Sequence, residues 1–465
     1  MNGRSFYCLL IAVCLSFFRP AFAETPVPET LSLSLPEALG IAVRENPDIL
    51  AAEFTVEASR AGLNQARSGF MPRVDLMETF NRTTNPMWVF GAKLNQESID
   101  YTDFDPAVLH DPGELNNYAT ALTLTWPVFA GGKIYHGVKQ AEKQLDAQTL
   151  AFVRTRQEII ARTATAYLGM MLAREGLKVV EQSLASARAN FKMVESAFDA
   201  GLVVKSDLLR AQVMIADLEQ QRLQAESRIQ TARAGLNAAM GRPVETPLML
   251  TSSFETCCPV TGDGDAWIAT ALANRPDLKQ LSCLEETAER SVAIARADHY
   301  PSLRLVGSYD INSEDFSDTA DSYTVGAVMS LNLFRGFGVS SGIRGAKASL
   351  NSLRQSIKSM ELAIRVQTQS AFFETQSAWQ RIGVAKAALD QADEGLRIVK
   401  NRYKSGLLTI VGLLDAELAN QQAKTSYYTA LHDYKTAMVN LELAAGIINE
   451  NVVYGRPEAG DQSGR

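Results

Sequence analysis

The sequence predicts a mainly α-helical fold with a small β part, made of long antiparallel coiled-coil hairpins and four short strands. Three observations carry that expectation. Internal self-similarity runs through most of the 465 residues. Long stretches nearly lack Gly and Pro, and residues 138–198 contain only Gly169 and Gly176. Between these stretches lie segments that alternate apolar and polar side chains, the period-two pattern of a strand with two unlike faces.

Composition narrows the classes. With 46% hydrophobic and 21% charged residues and a mean hydropathy of -0.07, no bias dominates, which excludes collagen-like, disordered and polytopic helical membrane chains. Residues 1–23 combine Arg4, an apolar run from Cys8 to Phe18, Pro20 and Ala21-Phe22-Ala23 before Glu24. This is the pattern of a secretory signal peptide. The apolar run is too short to span about 30 Å of hydrocarbon, and no cysteine follows the cleavage site to carry a lipid. Loss of Arg4 and Arg19 takes the net charge from -7 to -9, so nucleic acid is not an expected partner. Cys257, Cys258 and Cys283 remain. Either a bridge from Cys257 or Cys258 to Cys283 or free thiols fits, and the odd count leaves at least one thiol unpaired or shared between chains. His110, His136, His299 and His432 show no metal-ligand spacing relative to them.

The chain reads as one unit written twice. Asn46-Pro47-Asp48-Ile49 reappears as Arg275-Pro276-Asp277-Leu278, and Ala66-Arg67 through Met71-Pro72 reappears as Ala295-Arg296 through Tyr300-Pro301, offset by 229. Tyr118, Phe129, Phe198-x-x-Gly201-Leu202 and Gly241 match Tyr323, Phe334, Tyr403-x-x-Gly406-Leu407 and Gly446, offset by 205. The offset falls by 24 between Pro72 and Tyr118, so repeat one carries a longer loop there. The expected organisation is a leader 1–23, repeat one 24–246, a linker 247–264, repeat two 265–450 and a disordered tail 451–465.

Leu177, Val180, Leu184, Ala187, Phe191, Val194 and Phe198 alternate steps of three and four, and Ile382 through Tyr403 repeat that seam. This is coiled-coil periodicity, with alanines that let helices approach closely. A helix from about Lys133 to Ala200 would extend roughly 100 Å at 1.5 Å per residue, beyond any single-domain core. The turns at Gly201 and Gly406, followed by Ser206-Asp207 as N-cap in repeat one, return the chain antiparallel. Arg73 to Phe80, Ala121 to Trp126, Leu303 to Tyr309 and Tyr323 to Leu333 alternate as strands, with Trp126, Phe129, Phe334 and Phe337 near their ends. An apolar and a polar face with aromatic ends suits membrane β-barrel staves, and a soluble antiparallel sheet is the alternative. An open sheet cannot sit in hydrocarbon with unpaired edges. The chain therefore needs copies of itself, and three copies leave room for a lumen where two do not.

Asn46-Pro47-Asp48, Arg67-Ser68-Gly69-Phe70-Met71-Pro72, Trp126-Pro127-Val128-Phe129-Ala130-Gly131-Gly132 and Phe198-x-x-Gly201-Leu202-x-x-x-Ser206-Asp207-Leu208-Leu209-x-Ala211-Gln212, with their second copies, resemble the TolC family of outer-membrane efflux proteins over residues 31–450. The resemblance implies a homotrimer with a twelve-stranded barrel in outer-membrane lipid and a long periplasmic α-barrel. It further implies an exit duct completed by a periplasmic adaptor and an inner-membrane pump of the RND or ABC type, with no enzymatic activity and no cofactor. By the same resemblance Asp415 falls on a gate aspartate, Gly412 stands where a second would be, and Leu408 replaces an arginine of the closed state. Asp207 and Tyr403 match the closing network, and Gly201, Leu202, Gly406 and Leu407 match turns that face the adaptor.

Three copies of Asp415 near a threefold axis would repel one another and attract cations. The plainer alternative is an acid placed early in a helix by the dipole. The loop Asn85 to Asn117, rich in acids, is expected to be solvated and to face outside the cell rather than hold a metal. Met170-Met171 is expected to pack between helices. No nucleophile–base pairing, phosphate loop or zinc spacing is present. A structural or adhesive trimeric coiled coil of the envelope is the competing function.

Overall fold

The computed structural model describes residues 31–254 and 259–450. The leader 1–23, the tail 451–465, Cys257 and Cys258 lie outside the described residues, and with them the cysteine pairing. In chain order the elements of the first half are β1 (Leu31–Leu33), α1 (Leu35–Glu45), α2 (Pro47–Ser68), β2 (Arg73–Thr83), α3 (Pro86–Asn95), a 3-10 turn (Tyr101–Phe104), α4 (Pro106–His110), β3 (Leu115–Ala130), α5 (Lys133–Asp199) and α6 (Lys205–Met240). The second half contains β4 (Leu248–Leu250), α7 (Gly264–Asn274), α8 (Pro276–Ala297), β5 (Ser302–Ser313), β6 (Ala320–Ser330), α9 (Gly338–Lys404) and α10 (Ile410–Ala445). The two hairpins match in length: α5 and α9 have 67 residues each, and α6 and α10 have 36 each. At about 1.5 Å per residue the longer helices run roughly 100 Å.

Each hairpin buries the expected seam. Leu184, Ala187 and Leu218 pack together between α5 and α6, and Ala378, Ile382, Ala430, Leu431, Tyr434 and Ala437 do so between α9 and α10. Towards the sheet, α5 packs on α2 and α8, and α9 packs on α8 and α7. The motif Asn46-Pro47 explains the join. Asn46 caps α2 by accepting from the Asp48 amide and donates Nδ2 to the Ala239 carbonyl at 2.8 Å. The C-cap of α6, Gly241, lies so close that a Cβ there would sit 2.7 Å from the Asn46 Cα. Gly446 abuts Arg275 in the same way at 2.8 Å. Thus α6 meets α2, and α10 meets α8, end to end through a glycine.

The equator holds the main core. Leu39, Ile160, Leu168, Met171, Leu236 and Met240 are among its buried members, and Met170 packs with them. The short parallel pair of β1 and β4 crosses it, an element that three-residue runs do not announce in a sequence. It is pinned by the Tyr167 hydroxyl donating to the Leu33 carbonyl at 3.0 Å and by Arg174 donating to the Leu250 and Ser252 carbonyls at 2.7 and 2.9 Å.

The four long strands form one antiparallel sheet in the order β2-β3-β5-β6. The two repeats therefore join through β3 and β5. Register places Val74, Leu76, Phe80, Leu122, Leu124, Leu305, Tyr309, Tyr323 and Val325 on one face. Arg73, Asp75, Thr123, Thr125, Arg304, Ser308, Asp310, Ser322 and Thr324 share the other. The first face suits lipid and the second suits water. Glu78, Arg82 and Asp321 are charged exceptions on the apolar face, and the Glu78 carboxylate accepts from the Thr120 hydroxyl.

Three expectations need correction. Strand β6 ends at Ser330, so Phe334 and Phe337 lie in the connector to α9, where Phe337 holds φ +61. The N-cap of α6 is Val204 rather than Ser206-Asp207, and Asp207 sits inside the first turn. The 85–117 stretch is not an open solvated loop: α3, the 3-10 turn and α4 occupy it, and its last three residues belong to β3. Asn85, Asp100 and Asp105 each cap one of these short elements, a local signal carried by side chains that otherwise look merely acidic or polar.

Candidate functional site at the helical tips

Both hairpins turn at a glycine in the left-handed region, Gly201 at φ +73 and Gly406 at φ +72. The Leu202 amide donates to the Ala197 carbonyl at 2.8 Å and the Leu407 amide to the Arg402 carbonyl at 3.0 Å. These bonds tie off the last turn of each long helix. Neither glycine has an atom within 4 Å of a notional Cβ, and Leu202 and Leu407 are 79% and 76% exposed. The tips thus present exposed leucines on tight glycine turns.

Just above the turns, the two hairpins of one chain share a small core. Val194, Ile410 and Leu413 are buried there, with Val203, Leu208, Leu396, Val399, Tyr403 and Leu414 packed around them. Burial pushes the Tyr403 phenol above its ordinary range, and the nearby Asp207 carboxylate adds to the rise. The structure therefore brings Tyr403 and Asp207 together across the hairpins. Asp415 is placed apart from them. It shares the exposed face of α10 with Val411 and Leu418, while Leu413, Glu417 and Asn420 point into the seam. Leu408 and Gly412 touch: a Cβ on Gly412 would meet Leu408 Cδ2 at 3.0 Å. An apolar contact thus occupies the place where the resemblance expected an arginine and a second aspartate.

One further feature escaped the sequence. Asn190 on α5 and Glu417 on α10 are both buried, and Asn190 Nδ2 donates to Glu417 Oε1. Burial pushes the Glu417 carboxyl up, against the opposing Asn190 donation and the positive charge of Lys400. Glu417 Oε2 and Asn190 Oδ1 are buried with no partner among the described residues. Next along α10, Asn420 donates to Asp393 at 2.6 Å and Gln421 donates to Gln221 at 2.7 Å. A polar ladder thus ties α10 to α5, α6 and α9. Asn420 interrupts the apolar seam in the sequence and was the one visible hint of it.

Long paired hairpins continuous with an amphipathic four-stranded sheet that has two open edges define a chain that forms one sector of a closed barrel-and-duct protein. Among the described residues no helix is long and apolar enough to cross a membrane. A family model described as outer membrane efflux protein matches residues 38–242 and 267–447, and the chain belongs to that family. It is 23% identical to the alkaline protease secretion protein AprF of Pseudomonas aeruginosa, covering 91% of this chain and 86% of that one. It is 25% identical to protein CyaE of Bordetella pertussis, covering 93% and 88%. It is 23% identical to outer membrane protein TolC of Escherichia coli, covering 87% and 80%. The fold is similar to the outer-membrane channel OprN at TM-score 0.74 and 19% identity, covering 89% of each chain. It also resembles the Campylobacter jejuni CmeC outer membrane channel at TM-score 0.75 and 18% identity, covering 89% and 85%.

Proposed function

We propose that three copies of this chain form a passive exit duct, spanning the outer membrane of a Gram-negative cell as a twelve-stranded barrel and extending through the periplasm as a helical barrel. The observation that carries this reading is the sheet: one face apolar and exposed, the other polar, with β2 and β6 unpaired at its edges. Such a sheet is stable in lipid only when closed. Four strands per chain require partners, and symmetric copies are the simplest source. The duct carries what an inner-membrane RND or ABC pump delivers through a periplasmic adaptor, and the exposed Leu202 and Leu407 with Gly201 and Gly406 form the surface for that adaptor.

Closure at the tips is assigned to Asp207, Tyr403 and Asp415. Tyr403 packs in the apolar core that joins the hairpins of one chain, with Asp207 nearby, and Asp415, exposed in the single chain, is free to face a threefold axis. Planar-bilayer recording of the purified protein should give discrete conductance steps and cation selectivity, with selectivity reduced in Asp415→Asn. Unchanged selectivity would remove Asp415 from the constriction. A trimer that neither inserts nor conducts would replace the duct with a structural coiled coil of the envelope.

A further inference from the structure

We propose that residues 84–114 form a cap folded into the extracellular mouth of the barrel, a second constriction at the end opposite the helical tips. The inference rests on the closed-barrel reading, because only closure makes the polar face of the sheet a lumen. The repeat comparison shows the segment as extra chain: β5 and β6 are joined by residues 314–319 alone, whereas α3, the 3-10 turn and α4 lie between β2 and β3.

The insert has its own interior. Val89 is buried, Phe90 and Phe104 meet edge to face at 5.9 Å, and Lys93 Nζ lies 2.6 Å from Oδ1 of the buried Asp103. The Asp100 amide donates to the second Asp103 oxygen at 2.9 Å. It is therefore a folded unit rather than a fluctuating loop.

The side of the sheet that it covers decides its role. Gln96 Nε2 donates to the Asn116 carbonyl at 2.9 Å and to Asn117 Oδ1 at 2.8 Å, and Asn117 Nδ2 donates to Asn312 Oδ1 at 3.0 Å. Asn117 and Asn312 belong to the polar row with Thr123, Ser308 and Thr324. At the outer end of that row Leu115, Asn312 and Ala320 are buried, while Ser322 and Thr324 further down β6 are exposed. Helix α3 packs on both β3 and β6, and so reaches across β5. On the apolar face near that height, Phe80 and Asp321 remain exposed. The insert thus lies on the lumen side, and three copies would narrow the exit around the axis, with Trp88 and Tyr101 on the free surface.

The test is labelling of intact cells with a bulky, membrane-impermeant maleimide, in full-length protein with Cys257, Cys258 and Cys283 changed to Ser. Thr324→Cys reports the lumen below the cap, and Ser317→Cys in the β5–β6 turn reports the rim. Replacing residues 86–111 with a short Gly-Ser link should speed labelling at position 324 and leave the rim unchanged. Lys93→Met, which strands the buried Asp103 carboxylate, should speed it by about tenfold or more, and decides the matter if the deletion fails to reach the surface. Equal rates at position 324 with the rim labelled would overturn the cap. A rim cysteine that stays unlabelled in the native-length chain would overturn the outer-membrane reading itself and the cap with it.

Discussion

At the scale of single residues, two kinds of glycine separate cleanly. Gly201 and Gly406 need only their positive φ, since open space surrounds them. Gly241 and Gly446 need that φ and also the missing side chain, because backbone of the neighbouring segment sits at 2.7 and 2.8 Å. Alanine at either tip should cost about 1 kcal/mol, the usual penalty for a left-handed non-glycine residue. Alanine at Gly241 or Gly446 must also force α6 from α2, or α10 from α8, and should cost well beyond that. Thermal unfolding of the detergent-extracted protein checks the order, and equal losses at all four positions would show that the helix joins can relax.

Glu417 gives a pH prediction at the same scale. Its folded value is raised above the ordinary 4.5 by burial, so the folded chain holds the proton more tightly than the unfolded one. Stability from this group is full below the ordinary value and is lost as pH rises through the raised one. A protonated Oε2 can donate to Asn190 Oδ1 and satisfy two stranded acceptors at once. Glu417→Gln should keep that pairing with a fixed amide and flatten the loss of melting temperature on raising pH. Burial pushes Glu442 up to about 7, so the slope that remains near neutrality belongs to it. Glu417→Ala should cost about 1–3 kcal/mol by leaving Asn190 unpaired. A pH slope unchanged in Glu417→Gln would acquit the pair.

At the scale of elements, the helices were legible because their signals repeat. A seam of threes and fours over seven positions, copied at an offset of 205, leaves little freedom of phase or length. The strands were legible from alternation, yet their ends were not, since β6 stops three residues before the alternation at Leu333 does. The β1–β4 pair and the cap were missed for a shared physical reason: short elements are stabilised by what they pack on rather than by their own pattern. The Asn190–Glu417 contact was missed because a polar residue in a helical seam looks like surface until its partner is known. Among the tip residues the structure places Asp207 close enough to Tyr403 for its charge to act on the phenol, whereas Asp415 stands exposed on another face of α10. The tips themselves give a prediction. Leu202→Asp and Leu407→Asp should leave the melting temperature nearly unchanged, because exposed substitutions lie within about 0.5 kcal/mol, while export in cells falls. Full export by the double variant would move the adaptor surface elsewhere.

At the scale of the whole molecule, the unlike faces of the sheet force the assembly. A single chain leaves β2 and β6 with unpaired backbone groups and exposes Val74, Leu76, Leu122, Leu124 and Val325. In water those side chains would be a liability, and in lipid the edges would be. Only a closed ring placed in a bilayer satisfies both. Leu122 and Thr123 are adjacent in β3 and point to opposite faces, so they form an internal control. Leu122→Arg puts a charge into lipid and should cost about 2–4 kcal/mol near the bilayer midplane, lowering the yield of assembled trimer in outer-membrane fractions. Thr123→Arg enters a water-filled lumen, so assembly should be normal and the cation preference of the open channel should weaken. Native mass spectrometry of the detergent-extracted particle gives the stoichiometry, three chains for a twelve-stranded ring. Equal tolerance of both arginines would mean that neither face meets lipid, and an even-numbered particle would mean that the four staves close by a different symmetry.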